Sequence, residues 1–386
     1  MSRRGRMDHQ HTGRNATTNG TGMDSCSRAQ TFAQIQRSLA PLDGDVFEIS
    51  NEHLIAKGDS LALIKSLPDR SINLLLTDPP YHSTKKDNIT GDTDFSSDRE
   101  YLDWMKAFAA EWRRVLRPNG SLYLFCSTKL AGRLEDIFRQ DFRVFPSITW
   151  TKPNEPGYDG WKQKMKKDAL RIWYPHTEKI VFAEPAVEGN LHRSTLAKYL
   201  NDMRRATGMS SNELAEITGA YGKVNHGGAI SNWETGRNIP SREQYEKLCN
   251  ALLATGKISS MEPYDNVVRP FNIDPSKPFV DVWDFPTVRP YKGKHPAEKP
   301  ADLLEHIIKT SSNPTDIVLD CFGGSGSTAA AAKALGRYSV TIEVESKWVA
   351  AAVKRLALKS ADVATSPSKS KPTTALPLFT HASSGK

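Results

Sequence analysis

Cysteine is scarce in this chain: Cys26, Cys126, Cys249 and Cys321 are the only four among 386 residues, and they lie far apart. That spacing offers neither a disulfide framework nor a paired zinc site, so the expectation is a reduced protein without a bound metal. Long apolar runs are also missing. No stretch approaches a membrane span, and the opening "MSRRGRMDHQHTGRNATTNGTG" lacks the apolar segment of a signal peptide. A cytoplasmic protein with no membrane association is expected. The chain has no internal repeat and no Gly-Lys-Ser/Thr, which disfavours a P-loop. Acidic residues are in deficit, with 44 Asp and Glu against 52 Lys and Arg, a net charge of +8. The excess favours a polyanionic partner, nucleic acid first, although many basic proteins bind none.

What is present is alternation of strand and helix. Residues 1–44 are polar and rich in Gly, Ser, Thr and Asn, and read as a disordered N-terminal tail; residues 359–386 read as a low-complexity C-terminal tail. Between them, residues 45–190 carry a strand at "HLIAKGD", a short helix at "SLALIKSL" and a buried strand at "INLLLT". An amphipathic helix at "REYLDWMKAFAAEWRRVLR" follows, closed by the turn "PNG" before the strand "SLYLFC". Residues 259–358 carry helices at "ADLLEHIIKT", after "FGGSGS" and at "SKWVAAAVKRLAL", with strands at "DIVLDC" and "YSVTIE". Neither block has enough strands for a complete sheet. Together they predict one α/β domain, a Rossmann-like parallel sheet covered on both faces.

Two turns stand out. "LDCFGGSGSTAAAA" (319–332) is a strand, a glycine-rich turn and an alanine-rich helix, in which glycines let the backbone approach a ligand closely. It lacks the three-glycine spacing of a dinucleotide fingerprint. The acid Glu343 ends the next strand, about 20 residues on, where a ribose hydroxyl is often held. A tight turn needed only for packing fits the same residues. The second turn, "TDPPYHSTKK" (77–86), follows the apolar run "INLLL". Its two prolines fix φ, remove backbone donors and leave carbonyl oxygens free to accept.

Taken together, Asp78-Pro79-Pro80-Tyr81 and Phe322-Gly323-Gly324-Ser325-Gly326 resemble the exocyclic-amino DNA methyltransferases, whose motifs are Asp/Asn/Ser-Pro-Pro-Tyr and Phe-x-Gly-x-Gly. The catalytic motif precedes the cofactor motif by about 240 residues, the permuted order of the β class. "HPAEKP" (295–300) resembles that family's His-x-x-x-Lys-Pro segment, and Gly58-Asp59 its lead-in. The resemblance covers roughly residues 50–185 and 280–355. It implies a circularly permuted, S-adenosyl-L-methionine-dependent methyltransferase fold, encoded by a bacterium or phage. Phe322, Gly324, Ser325, Gly326 and Ser327 would cradle the cofactor, Glu343 would meet its ribose, Asp59 would lie near its adenine and Lys299 near its methionine end.

On that resemblance the substrate is an exocyclic amine whose lone pair is delocalised into the base. The Asp78 carboxylate and the Pro79 carbonyl would draw its N–H groups toward a tetrahedral nitrogen, and the rigid prolines would hold those acceptors beforehand. The base must leave the duplex, and stacking on Tyr81 would offset part of that cost. No cysteine follows a proline, so methylation at cytosine C5 has no nucleophile. Cytosine-N4 transfer uses the same turn, usually with Ser first, and stays open; Asp in first place leans toward adenine N6. A DNA-binding regulator with a silent methylase fold is the reading from another class. The resemblance also allows a homodimer and leaves a restriction endonuclease partner open.

Residues 191–258 differ in character. "LAKYLNDMRRATGMSSNELAEITG" and "AISNWETGRNIPSREQYEKLCNALL" resemble a phage-repressor-type helix-turn-helix, which implies an inserted all-α unit reading duplex DNA. Ser231 and Asn232 would face base edges and Arg237 a phosphate. The turn "AYGKVNHGG" (220–228) is longer than that pattern, and a purely structural insert fits the same helices. Lys162, Lys164, Lys166 and Lys167, among Trp161 and Trp173, are candidates for following the phosphate backbone, as are Lys85 and Lys86 in the loop after the proline turn. A solvated charged loop explains the same lysines.

Overall fold

A computed structural model of the protein describes residues 21–40, 46–82, 95–153, 171, 173, 176–187, 194–222, 228–275 and 279–357. Among the described residues ten strands form one sheet: β1 (Val46–Ser50), β2 (His53–Lys57), β3 (Ile72–Thr77), β4 (Leu116–Cys126), β5 (Phe142–Val144), β6 (Ile148–Thr151), β7 (Thr177–Pro185), β8 (Val282–Asp284), β9 (Ile317–Asp320) and β10 (Tyr338–Glu343). Their order is β1-β2-β10-β9-β3-β4-β7-β6-β8, with β5 also on β7. The five central strands, β2 to β4 in that order, run parallel, while β7 lies antiparallel to β4. Both halves of the chain therefore contribute to one sheet, and β3 from the first meets β9 from the second at Leu74↔Val318 and Leu75↔Leu319.

Side-chain alternation along these strands makes two cores. On one face Leu54, Ile72, Leu75, Leu122, Leu319 and Val340 pack under helices α1 (Thr21–Leu39), α2 (Ser60–Ser66), α3 (Asp98–Val115) and α4 (Ala131–Phe138). Helix α3 supplies Tyr101, Met105, Phe108, Trp112 and Val115, an i, i+4, i+7 stripe, and Ser97 caps its start by accepting from the Glu100 N–H. On the other face Leu74, Leu76, Tyr123, Phe125 and Val318 pack against later helices of the chain. β3 is buried at all six positions because both faces are covered.

Helix α1 corrects the reading of residues 1–44 as a tail. Its Phe32, Ile35 and Leu39 are buried in the first core, and the Arg28 guanidinium donates to Asp316 at 3.1 Å. Its polar composition hid three apolar residues spaced 3 and 4 apart, enough to seat a helix on a surface supplied by distant sequence. Residues 1–20, 41–44 and 359–386, the rest of the two expected tails, lie outside the described residues.

Between β7 and β8 the chain forms α5 (Thr195–Thr207), α6 (Ser211–Thr218), α7 (Ala229–Thr235), α8 (Arg242–Leu253) and the short α9 (Tyr264–Val267). They enclose their own core, including Leu200, Leu214, Ile230, Trp233, Leu248 and Val267. Val267 and Val268 belong to this core, so it continues past the boundary expected at residue 258. Ser210 and Ser241 close capping boxes with Glu213 and Gln244, and left-handed glycines at 208, 219 and 236 end three of the helices. The "PNG" turn does not simply close α3. It bulges within β4, where Asn119 donates to the Asp265 and Val268 carbonyls (2.9 and 3.0 Å) and the Pro118 carbonyl accepts from Thr195, docking the helices to the sheet. Then come α10 (Ala301–Ser311), α11 (Ser327–Ala334) and α12 (Ser346–Ala357). α10 and α11 cover the second face through Leu303, Ile307, Ala331 and Ala332.

Candidate active site

The parallel strands all present their carboxyl ends at one edge. Asp59 follows β2, Glu343 ends β10, the glycine-rich turn follows β9 and the Asp-Pro-Pro-Tyr turn follows β3. Chain order reverses between β9 and β3, the switch point where open α/β sheets hold ligands. The two turns are tied together there. The Thr77 hydroxyl donates to Asp320 Oδ1 at 3.0 Å and accepts the Cys321 N–H at 3.2 Å, while the Phe322 N–H donates to the same Asp320 oxygen. Burial pushes the Asp320 carboxyl up to about 6.

In the glycine-rich turn, Gly324 and Gly326 have φ of +49° and +78°, a region open to glycine at little cost. Close packing adds a second demand: a Cβ on Gly323 would lie 2.1 Å from Thr341 Cγ2, and one on Gly326 2.8 Å from Ala352 Cβ. Glu343 accepts the Gly324 N–H at 2.8 Å and the Glu345 N–H at 2.8 Å, and burial raises its pKa. Asp59 caps α2 by accepting from Ala62. Phe322 packs on Trp104 and Phe108 of α3. Ser325 donates to Glu298, and Ser327 accepts from Arg355. An aromatic wall, two carboxylate acceptors and a bare backbone at adjoining strand ends suit an adenosyl group with ribose hydroxyls.

The proline turn is the more charged place. Asp78 Oδ1 accepts the Tyr81 hydroxyl at 2.7 Å, and Oδ2 accepts the Lys299 ammonium at 2.5 Å. Lys299, expected near the cofactor's methionine end, sits on the catalytic turn, its Nζ also 3.2 Å from the Tyr81 oxygen. The residues around it on "HPAEKP" face the other turn: the His295 ring lies against Gly324, and Glu298 accepts from Ser325, Tyr291 and Arg355. That segment therefore bridges the two motifs.

Sequence reasoning missed Glu178 and Lys152. Glu178 Oε2 accepts the Tyr81 hydroxyl at 2.9 Å and lies 3.4 Å from Lys299 Nζ, while Oε1 pairs with Lys152. Two carboxylates and two ammonium groups thus share a half-buried pocket walled by Phe125 and Trp150, over which Lys299 sits at 4.9 and 5.9 Å. Buried charges persist only when paired, and these are. Burial pushes the Asp78 carboxyl up against the pull of Lys299. Glu178 also suffers burial, but Lys299 and Lys152 outweigh it and hold its pKa at about 2. Tyr81 is pushed well up by burial and both acids, and stays a hydroxyl. Nothing local in "HTEKIVFAEP" singles out Glu178; pairing of Glu178 with Trp150 across β7 and β6 brings it to the turn.

Ser231 is exposed on α7, Arg237 is exposed just beyond it, and Asn232 Nδ2 donates to the Tyr221 hydroxyl at 3.2 Å. Lys85, Lys86, Lys162, Lys164, Lys166 and Lys167 lie outside the described residues. Among those described, no group of His, Cys, Asp and Glu could hold a metal ion, and no helix is long and apolar enough to cross a membrane.

Comparison with known proteins follows the same outline. Over 309 residues the chain is 28% identical to the DNA adenine methyltransferase YhdJ of Escherichia coli, covering 79% of this chain and 83% of that protein. It is 25% identical over 317 residues to the type II methyltransferase M.HinfI of Haemophilus influenzae, covering 78% and 67%. Among solved structures, the M1.HpyAVI–SAM complex aligns with a TM-score of 0.45 at 20% identity, covering 79% of this chain and 98% of that one. A family model described as DNA methylase matches residues 72–354, a span that takes in both turns, the bridging segment and Glu178, and the chain belongs to that DNA methylase family.

Proposed function

We propose that this protein transfers the methyl group of S-adenosyl-L-methionine to N6 of an adenine flipped out of duplex DNA. The observation that carries the reading is the union of the two turns: hydrogen bonds through Thr77, Asp320 and Cys321 set the Asp78 acceptor beside the glycine-rich turn. Phe322, Gly324, Ser325, Gly326, Ser327, Glu343 and Asp59 would hold the cofactor, which supplies an electrophilic methyl on a sulfonium. Asp78 and the Pro79 carbonyl accept from the target amine, Pro80 keeps the turn rigid, and Tyr81 lies against the base. Adenine is favoured over cytosine N4 by Asp in first place and by the activity of YhdJ.

The order of the motifs along the chain supports the permuted β class. The helices from α5 to α8 serve, on this proposal, as an inserted helix-turn-helix that reads the target site, with α7 as the reading helix. The experiment is labelled methyl transfer to duplex DNA followed by digestion. N6-methyladenine with no C5-methylcytosine is expected; N4-methylcytosine removes the adenine assignment, and no transfer at all leaves a silent DNA-binding protein.

A further inference from the structure

Each Asp78 oxygen already accepts one bond, from Tyr81 on one side and Lys299 on the other, so an arriving amine must share its acceptor with a strong donor or displace it. Both donors have a second acceptor within reach. The Tyr81 hydroxyl has a single proton and two carboxylates, Asp78 at 2.7 Å and Glu178 at 2.9 Å. Lys299 Nζ is 2.5 Å from Asp78 and 3.4 Å from Glu178. Lys152, from the other side, fixes Glu178 by its remaining oxygen. We propose that Glu178 is a positioning residue for transfer: it takes over the hydrogen bond of the Tyr81 hydroxyl and the Lys299 ammonium as the target amine docks, and so releases Asp78 to accept the amine's N–H groups.

The handover needs little movement, since both donors already lie between the two acids. It also keeps the pocket neutral. Without the second acid, arrival of the amine would compete directly with a buried ammonium for Asp78, a contest a neutral base loses. The two carboxylates are moreover pushed in opposite directions, Asp78 up by burial and Glu178 down by its two lysines, the pattern that separates a group that works from one that stays ionised.

The inference rests on the methyltransferase reading, so the test begins with controls for that reading: wild type must methylate duplex DNA and Asp78→Ala must lose about 10³-fold in transfer. Failure there removes the reading itself. Given that, Glu178→Gln should lower kcat by about 100-fold, the cost of a reacting group held slightly out of place. KM for S-adenosylmethionine should stay within about twofold, since the cofactor turn is untouched. The acidic limb of the kcat–pH profile reports Asp78, which is faced by Lys299, Glu178, Tyr81 and Asp320, with Lys152 behind Glu178 and the Cys126 thiol held neutral by burial. Loss of the Glu178 charge moves that limb to lower pH, and Glu178→Asp should return it toward the wild-type position. An unshifted limb, or a kcat loss that only tracks a lower melting temperature, means Glu178 is structural and overturns the proposal. Should Glu178→Gln not fold, Tyr81→Phe reads the same contest: without the shared hydroxyl the limb moves to higher pH, and an unmoved limb overturns the proposal equally.

Discussion

The carboxyl edge of the sheet and the outer surface of the helical insert use polar side chains in opposite ways. At the edge they are buried or half-buried and already paired: Asp78 with Lys299 and Tyr81, Glu178 with Lys152, Glu343 with two backbone N–H groups. On the insert, Ser231 and Arg237 are exposed on or beside α7, and the apolar half of that helix, Ile230 and Trp233, does the packing. The difference follows from dielectric. A charge in the half-buried pocket is screened less than one in open water and must be placed by the fold, whereas an exposed side chain costs the fold little and acts only on what docks against it. Effects of substitution should therefore differ between the two regions in both size and kind.

The largest effect belongs to the edge. Asp78→Ala should lower methyl transfer by about 10³-fold while cofactor affinity, read by calorimetry, stays within a few-fold. Full turnover by this variant on duplex DNA would break the contrast, because a preset acceptor would then be dispensable. Next comes the unexpected helix at the other end of the sheet, where α1 meets Asp316 and Tyr338 at the starts of β9 and β10. Phe32→Ala should cost about 3–5 kcal/mol in urea unfolding, with little change in transfer per folded molecule. A loss below about 1 kcal/mol would mean that α1 is only loosely seated.

Acid should find the sheet rather than the insert. Burial, with a smaller push from Lys333, lowers the His53 pKa from 6.5 to about 4, so the fold holds this ring neutral beside Ser339. The unfolded chain takes up a proton below about 6.5 and the folded one does not until near 4, so stability falls as pH drops through that window, by about 3 kcal/mol. Urea melts at stepped pH should show the slope, and His53→Gln should flatten it. The smallest effects lie on the insert. Ser231→Ala with Asn232→Ala should relax the methylated motif, each lost base contact costing about 1–3 kcal/mol, while cofactor binding is unchanged. Arg237→Ala should weaken binding to all sequences and reduce the salt dependence by about one unit. Sequencing methylated genomic DNA reads the first change. An unaltered motif at normal methylation levels would show that these two side chains do not read the site.

Much of this was legible in the residues. Local chemistry alone marked the two turns, because Asp-Pro-Pro-Tyr and a run of glycines each impose a backbone that few other residues allow. Apolar periodicity marked α3, α10 and α12 and the fully buried β3. The insert stood out by its resemblance to a repressor-type helix-turn-helix, and the structure shows Ser210, Ser241 and Gly236 where its helix boundaries fall. These signals are all short-range, so they survive in a linear reading.

What the tertiary structure alone decided depends on distance along the chain. That α1 is a helix in the core follows from the apolar surface it meets, since its own composition resembles a tail. That the "PNG" turn anchors the insert follows from Asn119 meeting carbonyls at 265 and 268. And that Asp78 shares its donors with Glu178 follows from strand pairing, which brings residues 78, 152, 178 and 299 into one pocket although nothing in their neighbours marks them as a set. A buried ion network is an agreement among charges whose spacing only the folded sheet can set, so the sequence could name the acceptor but not the groups that hold it in place.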